Sequence, residues 1–271
     1  MAAQQVERGD PLSLVLEERE RQTMKMVEAA LTAGRVRLAF QPVVMGADTG
    51  RTAFHEGLIR VLDEAGRIIP ARDFMGAIEG NDIGRRIDCA ALELGLRTLA
   101  RHSDIRLSIN MSARSIGYPR WMRVLNKGLQ ASPTIGERLI LEITESSAIL
   151  VPEIVTAFMD DLQRKGIGFA LDGFGSGYSA LRYLKEFFFD IIKIDGQFIR
   201  NIHDDPDNQA LTRALLAMAR QFEMFTIAEA VETLEEAQFL QSLGVDCMQG
   251  YLFGAPTLQP AFMPAPARRR A

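Results

Sequence analysis

The amino-acid sequence predicts an α/β protein: a (β/α)8 TIM-like barrel preceded by an N-terminal helix, with room for one antiparallel strand near the barrel's start. Three observations lead there. Eight apolar, strand-like segments follow one another without a linker, and six of them are separated by helical stretches. Eight strands in about 220 residues suit a barrel whose usual size is roughly 250 residues. The strands also end in polar or charged residues, which places chemistry on one face of a parallel sheet. An open doubly wound sheet is the alternative architecture.

The elements can be justified in order. Residues 1–11 are polar and end at Pro11, which reads as a loose start. Leu12, Leu16, Met24, Val27 and Leu31 recur near helical spacing, and Gly34 fits the cap of that helix. This helix could pack on the domain or offer a contact surface. RVRLAFQPVV (35–44) and RTAFHEGLIRV (51–61) read as strands close enough to form a hairpin across GADTG. Pro70 opens a helical stretch to Ile78, and Ile83–Leu99 continues as an amphipathic helix.

Six further strands follow: DIRLSINMS, RLILEITES, IGFALDG, FDIIKID, MFTIAEA and GVDCMQGY. Helices are expected around 117–129, 152–165, 178–187, 206–222 and 234–243. The chain thus divides into a tail and helix (1–34), a barrel domain (35–258) and a frayed tail (259–271) whose arginines read as a solvated end. His55 neighbours Glu56 in a strand and so faces the opposite side, in the barrel wall. Trp121 and the run Phe187–Phe189 read as packing residues.

Composition narrows the function. An apolar fraction of 47% with 24% charged residues is that of a globular protein with a full core. A net charge of −4 leaves no footprint for a nucleic acid polymer. No apolar run is long enough to span a membrane, and MAAQQVERGD lacks a signal peptide's apolar segment, so a cytoplasmic location is expected. Cys89 and Cys247 are too few and too far apart for a disulfide framework or a CxxC metal site.

The strand ends carry the chemistry. LSIN ends at Asn110, LILE at Glu142, FALD at Asp172, IIKID at Lys193 and Asp195, TIAE at Glu229 and DCMQ at Gln249, while Glu56 lies within the second strand. Carboxylates gathered at one barrel mouth raise each other's pKa unless cations intervene. All-oxygen donors point to a hard ion such as Mg²⁺, Mn²⁺ or Ca²⁺. Acids at strand ends can instead cap the next helix, and Asp195 fits that role best because a loop and short helix follow it directly. A site of this kind suits phosphoryl chemistry, in which divalent ions clamp the phosphate and lower the pKa of a water. Lys193 could stabilise charge, orient that water or form a structural ion pair.

The chain resembles the EAL domain family of cyclic di-GMP phosphodiesterases over roughly residues 35–257. The blocks that carry the resemblance are AFQPVV (39–44), EGLIR (56–60, with Gly57 in place of the usual Ala), NMS (110–112), LEITES (141–146), DGFGSGYSAL (172–181), KID (193–195), AEAVET (228–233) and QGYLFG (249–254). It implies hydrolysis of cyclic di-GMP to linear pGpG, dependent on Mg²⁺ or Mn²⁺ and inhibited by Ca²⁺. Glu56, Asn110, Glu142 and Asp172 match ligands of a first metal, and Asp172 and Glu229 ligands of a second. Lys193 matches the lysine that contacts the attacking water, so Lys193, Glu229 and Asp172 are the implied catalytic set. Gln41, Leu58, Arg60, Glu232 and Gln249 match positions at the substrate site, Gln249 also bonding into the metal shell. Glu145 matches a residue that holds the loop after Asp172.

A homodimer coupled through the loop at Gly175 and Gly177 is implied by the resemblance, and the N-terminal helix offers a surface for a protein partner. One block departs from the family. Asp172–Gly173–Phe174–Gly175 stands where active members read Asp-Asp-Phe-Gly, so Gly173 replaces an expected ligand of the second metal and weakens that site. The alternative reading is therefore a non-hydrolytic cyclic di-GMP receptor acting through a partner.

Overall fold

A computed structural model describes residues 11–175 and 185–263 of the protein. β1 (Val36–Met45) and β2 (Thr52–Leu62) form the expected antiparallel hairpin, with Gln41 opposite Glu56. Its turn is locked where the Asp48 carboxylate accepts a hydrogen bond from the Gly50 N–H at 3.1 Å. A short edge strand, β3 (Ile68–Pro70), adds antiparallel to β2. β4 (Leu107–Asn110), β5 (Leu139–Thr144), β6 (Gly168–Phe174), β7 (Ile191–Ile194), β8 (Phe225–Ala228) and β9 (Cys247–Gln249) continue from β2 as parallel neighbours. β9 then meets β1 antiparallel, which closes an eight-stranded barrel with one reversed strand. The open-sheet alternative is excluded by that closure.

The helices cover the outside. Among the described residues they are α1 (Pro11–Thr32), α2 (Met75–Ile78), α3 (Asp82–Arg101), α4 (Pro119–Ala131), α5 (Ile135–Arg138), α6 (Glu145–Ile149), α7 (Pro152–Gln163), α8 (Pro206–Gln221) and α9 (Leu234–Leu243). Their starts are written locally: Asn81 caps α3, Asp205 caps α8, and Thr233 with Glu236 forms a capping box on α9. The helix expected from Pro70 to Ile78 is a correction. Pro70 ends β3, a 3-10 turn spans Ala71–Asp73, and Phe74 at φ −134° separates it from α2. The expected strands are also trimmed, because residues past the last paired position turn into loops. Residues 185–187, read as the end of a helix, are turn and irregular backbone, and the remainder of that stretch lies outside the described residues.

The barrel interior is layered. Strand residues alternate in and out, so β2 sends Phe54, Glu56, Leu58 and Arg60 inward. The lower interior layer is apolar, built from Val43, Phe54, Ile140, Ala170, Ile191, Ile227 and Cys247. Above it the same strands deliver polar residues at the next inward positions. The larger core lies between barrel and helices, where Trp121 is fully buried with its ring 5.6 Å from that of Phe158. Phe187 and Phe189 are buried, whereas Phe188 between them is 62% exposed. α1 packs through its second half: Glu28 pairs with Arg86 at 2.8 Å, and residues 15–22 are exposed.

Of the tail expected to fray (259–271), residues 259–263 are among those described. Thr257 bridges to Phe40, and the Phe262 ring packs edge-on against Phe40 (5.3 Å), His55 (4.8 Å) and His102 (5.3 Å). Burying an aromatic ring against that surface favours the ordered segment. His55 thus has the wall role expected of it. The loose start and the arginines at 268–270 lie outside the described residues.

Candidate active site

The upper interior layer converges on Lys193. The residue is 1% exposed, and its ammonium lies 2.7 Å from Glu142 Oε2, 2.9 Å from Glu229 Oε1, 3.2 Å from Glu56 Oε2 and 3.7 Å from Asp172 Oδ1. One cation therefore faces four carboxylates from four different strands or strand ends. Glu56 is held from both sides: Asn110 Nδ2 donates to its Oε1 at 2.7 Å, and Gln249 Nε2 donates to its Oε2 at 2.6 Å. Gln249 Nε2 also reaches Gln41 Oε1 at 3.2 Å, and Gln41 Nε2 donates to the Gly254 carbonyl at 3.1 Å.

The charges do not balance. Burial, with Glu56 adding to it, pushes the Glu142 carboxyl up to about 8 against the pull of Lys193. Burial likewise pushes Glu229 up to about 7, with Lys193 opposing and Asp172 reinforcing the shift. Burial works against the Lys193 charge, but Glu142, Glu229, Glu56 and Asp172 together hold its pKa well above the ordinary value. Burial also opposes ionisation of Glu56, yet Lys193 and the hydrogen bonds from Gln249 and Asn110 keep it below the usual range. This is an anionic site short of positive charge.

Among the described residues, no three acidic, histidine or cysteine side chains are disposed to hold a metal ion as they stand. Lys193 occupies the space between them. The chemistry of the donors nevertheless fits a hard cation: all are oxygens, and Glu142 Oε1 is buried without a hydrogen-bond partner. A buried carboxylate oxygen with no partner, in a cluster short of positive charge, is the group a divalent ion would satisfy.

Comparisons with known proteins give the family. The EAL domain family profile matches residues 24–256. The chain belongs to the EAL domain family. This EAL domain is 30% identical over 235 residues to the cyclic di-GMP phosphodiesterase PdeB of Shewanella oneidensis, covering 85% of this chain and 27% of PdeB. It is 31% identical over 242 residues to the bifunctional diguanylate cyclase/cyclic di-GMP phosphodiesterase MucR of Pseudomonas aeruginosa, covering 87% of this chain and 35% of MucR. The chain thus spans about a third of these relatives' lengths. Its fold superposes on the MucR phosphodiesterase in complex with cyclic di-GMP with a TM-score of 0.80, at 29% identity over 89% of this chain and 98% of that one. The FimX EAL domain of P. aeruginosa bound to cyclic di-GMP gives 0.79, at 25% identity over 87% and 96%.

The structure brings Glu56, Asn110, Glu142, Asp172, Lys193, Glu229, Gln249 and Gln41 of this EAL domain together. Leu58 and Arg60 follow on the same inward face of β2, half-buried, towards the mouth. Glu232 is exposed, and its backbone N–H donates to Glu236 Oε2 of the α9 capping box at 2.8 Å, so the structure does not bring its side chain into the cluster. Asp195 is a cap, its carboxylate accepting from the Gln197 N–H at 2.8 Å. Glu145 Oε2 accepts from the Gly175 N–H at 3.2 Å, so it does touch the loop after Asp172. Gly177 and the end of that motif lie outside the described residues.

Two glycines have physical explanations the sequence hides. Gly173 sits at φ +70°, where the β6–β7 register slips between Leu171 and Phe174, a bulge that a glycine accommodates without strain. Gly57 faces outward from the barrel, away from the site. A Cβ there would lie 2.7 Å from Ile109 Cδ1, so Ile109 fills the room that an alanine would take. Gly57→Ala is accordingly expected to cost about 1 kcal/mol by overpacking, reduced when combined with Ile109→Val and readable by urea unfolding.

Asp88 and Ser147 support loops around the site, and the sequence reading did not single them out. The available signal was an acid inside the apolar stripe of α3, between Ile87 and Ala91.

Proposed function

We propose that this EAL domain is a metal-dependent phosphodiesterase that hydrolyses cyclic di-GMP to linear pGpG. The observation that carries the reading is the convergence of Glu56, Glu142, Asp172 and Glu229 on Lys193 in a chain of the EAL family. Homologues named as cyclic di-GMP phosphodiesterases support it.

In this reading Glu56, Asn110, Glu142 and Asp172 would hold one Mg²⁺ or Mn²⁺, and Asp172 and Glu229 would offer a weaker place for a second, because Gly173 has no side chain to give it. Such ions neutralise the phosphate and lower the pKa of the attacking water. Lys193 holds its proton firmly and would orient the attacking water by donating a hydrogen bond. Gln249 and Asn110 fix both oxygens of Glu56, so its carboxylate cannot rotate out of place. Arg60 presents paired donors to a phosphate, with Gln41, Leu58 and Glu232 completing the substrate site. Glu145 steadies the loop after Asp172. A homodimer, a protein partner for α1 and a cytoplasmic location belong to the same proposal. Among the described residues no helix is long and apolar enough to cross a membrane.

The absent side chain at Gly173 favours one second reading, a receptor that binds cyclic di-GMP without cutting it. The experiment that separates the two pairs hydrolysis in Mg²⁺ and Mn²⁺ with a binding titration in Ca²⁺, which should hold substrate without turnover. Wild-type protein is expected to yield pGpG, and Glu56→Ala to lower the rate by a factor of about 10² or more. Tight binding with no product in either metal would sink the phosphodiesterase reading. Loss of turnover in Glu56→Ala would sink the receptor.

A further inference from the structure

The loop after Asn110 is held by a group outside the cluster around Lys193. Asp88 of α3 is 5% exposed, and its Oδ2 accepts hydrogen bonds from Ser115 Oγ at 2.6 Å and from the Ser112 N–H at 3.0 Å. Among the described residues it forms no ion pair. The next residue of the same loop, Ala113, donates its N–H to Ser147 Oγ at 2.8 Å. Ser147 lies on α6, two residues after Glu145, whose carboxylate accepts from Gly175. Asp88 therefore anchors one end of a chain of contacts that links the loops following β4, β5 and β6.

Packing alone does not explain a carboxylate here. The neighbouring buried positions of α3 are Gly84, Ile87, Ala91 and Leu92, where an apolar side chain would avoid the desolvation of a buried charge. What a carboxylate adds is a charged acceptor, which makes shorter and stiffer hydrogen bonds than a neutral one. Both of those bonds fall within five residues of Asn110, whose amide fixes Glu56 Oε1 at 2.7 Å.

We infer that Asp88 is a positioning residue for the candidate active site: it pins the Ser112–Ser115 loop so that Asn110 meets Glu56, and it tethers α6 through Ser147. The inference rests on the phosphodiesterase reading for its kinetic consequence, although the geometry it describes does not depend on turnover.

The test compares Asp88→Leu, Asp88→Asn and wild type by the Asn110 side-chain amide resonance, amide hydrogen exchange and steady-state kinetics. Asp88→Leu is expected to shift the Asn110 amide, speed exchange at Ser112 without affecting Leu141, and lower kcat by about tenfold with KM within about twofold. Asp88→Asn keeps an acceptor oxygen, though a neutral one, and is expected to restore most of each change. An unmoved Asn110 amide and unchanged Ser112 exchange in Asp88→Leu would overturn the inference. So would equal losses in both variants with faster exchange across the whole barrel, because that marks general destabilisation. If wild type cuts no cyclic di-GMP, the phosphodiesterase reading fails, and the resonance and exchange measurements still decide the role of Asp88.

Discussion

Lys193→Met is expected to abolish hydrolysis of cyclic di-GMP, lowering kcat by about 10²–10⁴-fold, and to destabilise the fold by about 3–5 kcal/mol. Both effects have one cause. The ammonium is the only cation among the described residues within 4 Å of Glu56, Glu142, Asp172 and Glu229, so its removal leaves four buried or half-buried carboxylates facing one another. Methionine preserves the stem's packing, which isolates the charge as the variable.

The pH dependence has a definite sign. Glu142 and Glu229 have folded pKa values raised to about 8 and about 7, above the ordinary carboxylate value. Their ionisation therefore counts against the fold above those values, and the penalty is relieved as pH falls through 8 and 7 towards the ordinary range. The deficit of Lys193→Met is expected to be largest near pH 9 and to shrink by pH 6, as read from urea midpoints. Mn²⁺ should raise the melting temperature of this variant as well, since it supplies the missing positive charge. A variant as stable as wild type at pH 9, or one that still turns over at the wild-type rate, would remove Lys193 from the centre of the site.

The second large effect is a gain. Gly173→Asp is expected to raise kcat/KM in Mn²⁺ by about 10–100-fold, the usual scale for a metal-site carboxylate interaction. The gain comes at a backbone cost. Gly173 lies at φ +70°, where a residue with a Cβ is strained by about 1–2 kcal/mol, although aspartate tolerates that region better than most. Gly173→Ala is the control, because it carries the strain without the carboxylate. Lower stability in both variants with a rate gain in the aspartate alone is the expected pattern. If Gly173→Asp leaves the rate unchanged while wild type turns over well, then a water or a neighbouring carboxylate already serves the second ion.

Much of the fold was legible because its signals are local. Apolar runs ending in polar residues located the strands, and Asn81, Asp205 and Thr233 mark helix starts that need no tertiary partner. The failures fall where the deciding partner is distant in sequence. Pro70 looked like the start of a helix, but pairing with Arg60 makes it the end of an edge strand. Phe262 looked loose because the rings that receive it, Phe40, His55 and His102, lie far back in the chain.

The candidate site divides in the same way. The sequence by itself determined which residues end the strands, the all-oxygen character of the donors and the glycine at position 173, because residue types and spacings are local properties. Only the tertiary structure decided that one lysine would face four acids, that Gln249 and Asn110 would clamp Glu56 from opposite sides, and that Asp88 would hold the loop behind them. These are distances between strands and helices remote in sequence, and they exist only once the barrel has closed.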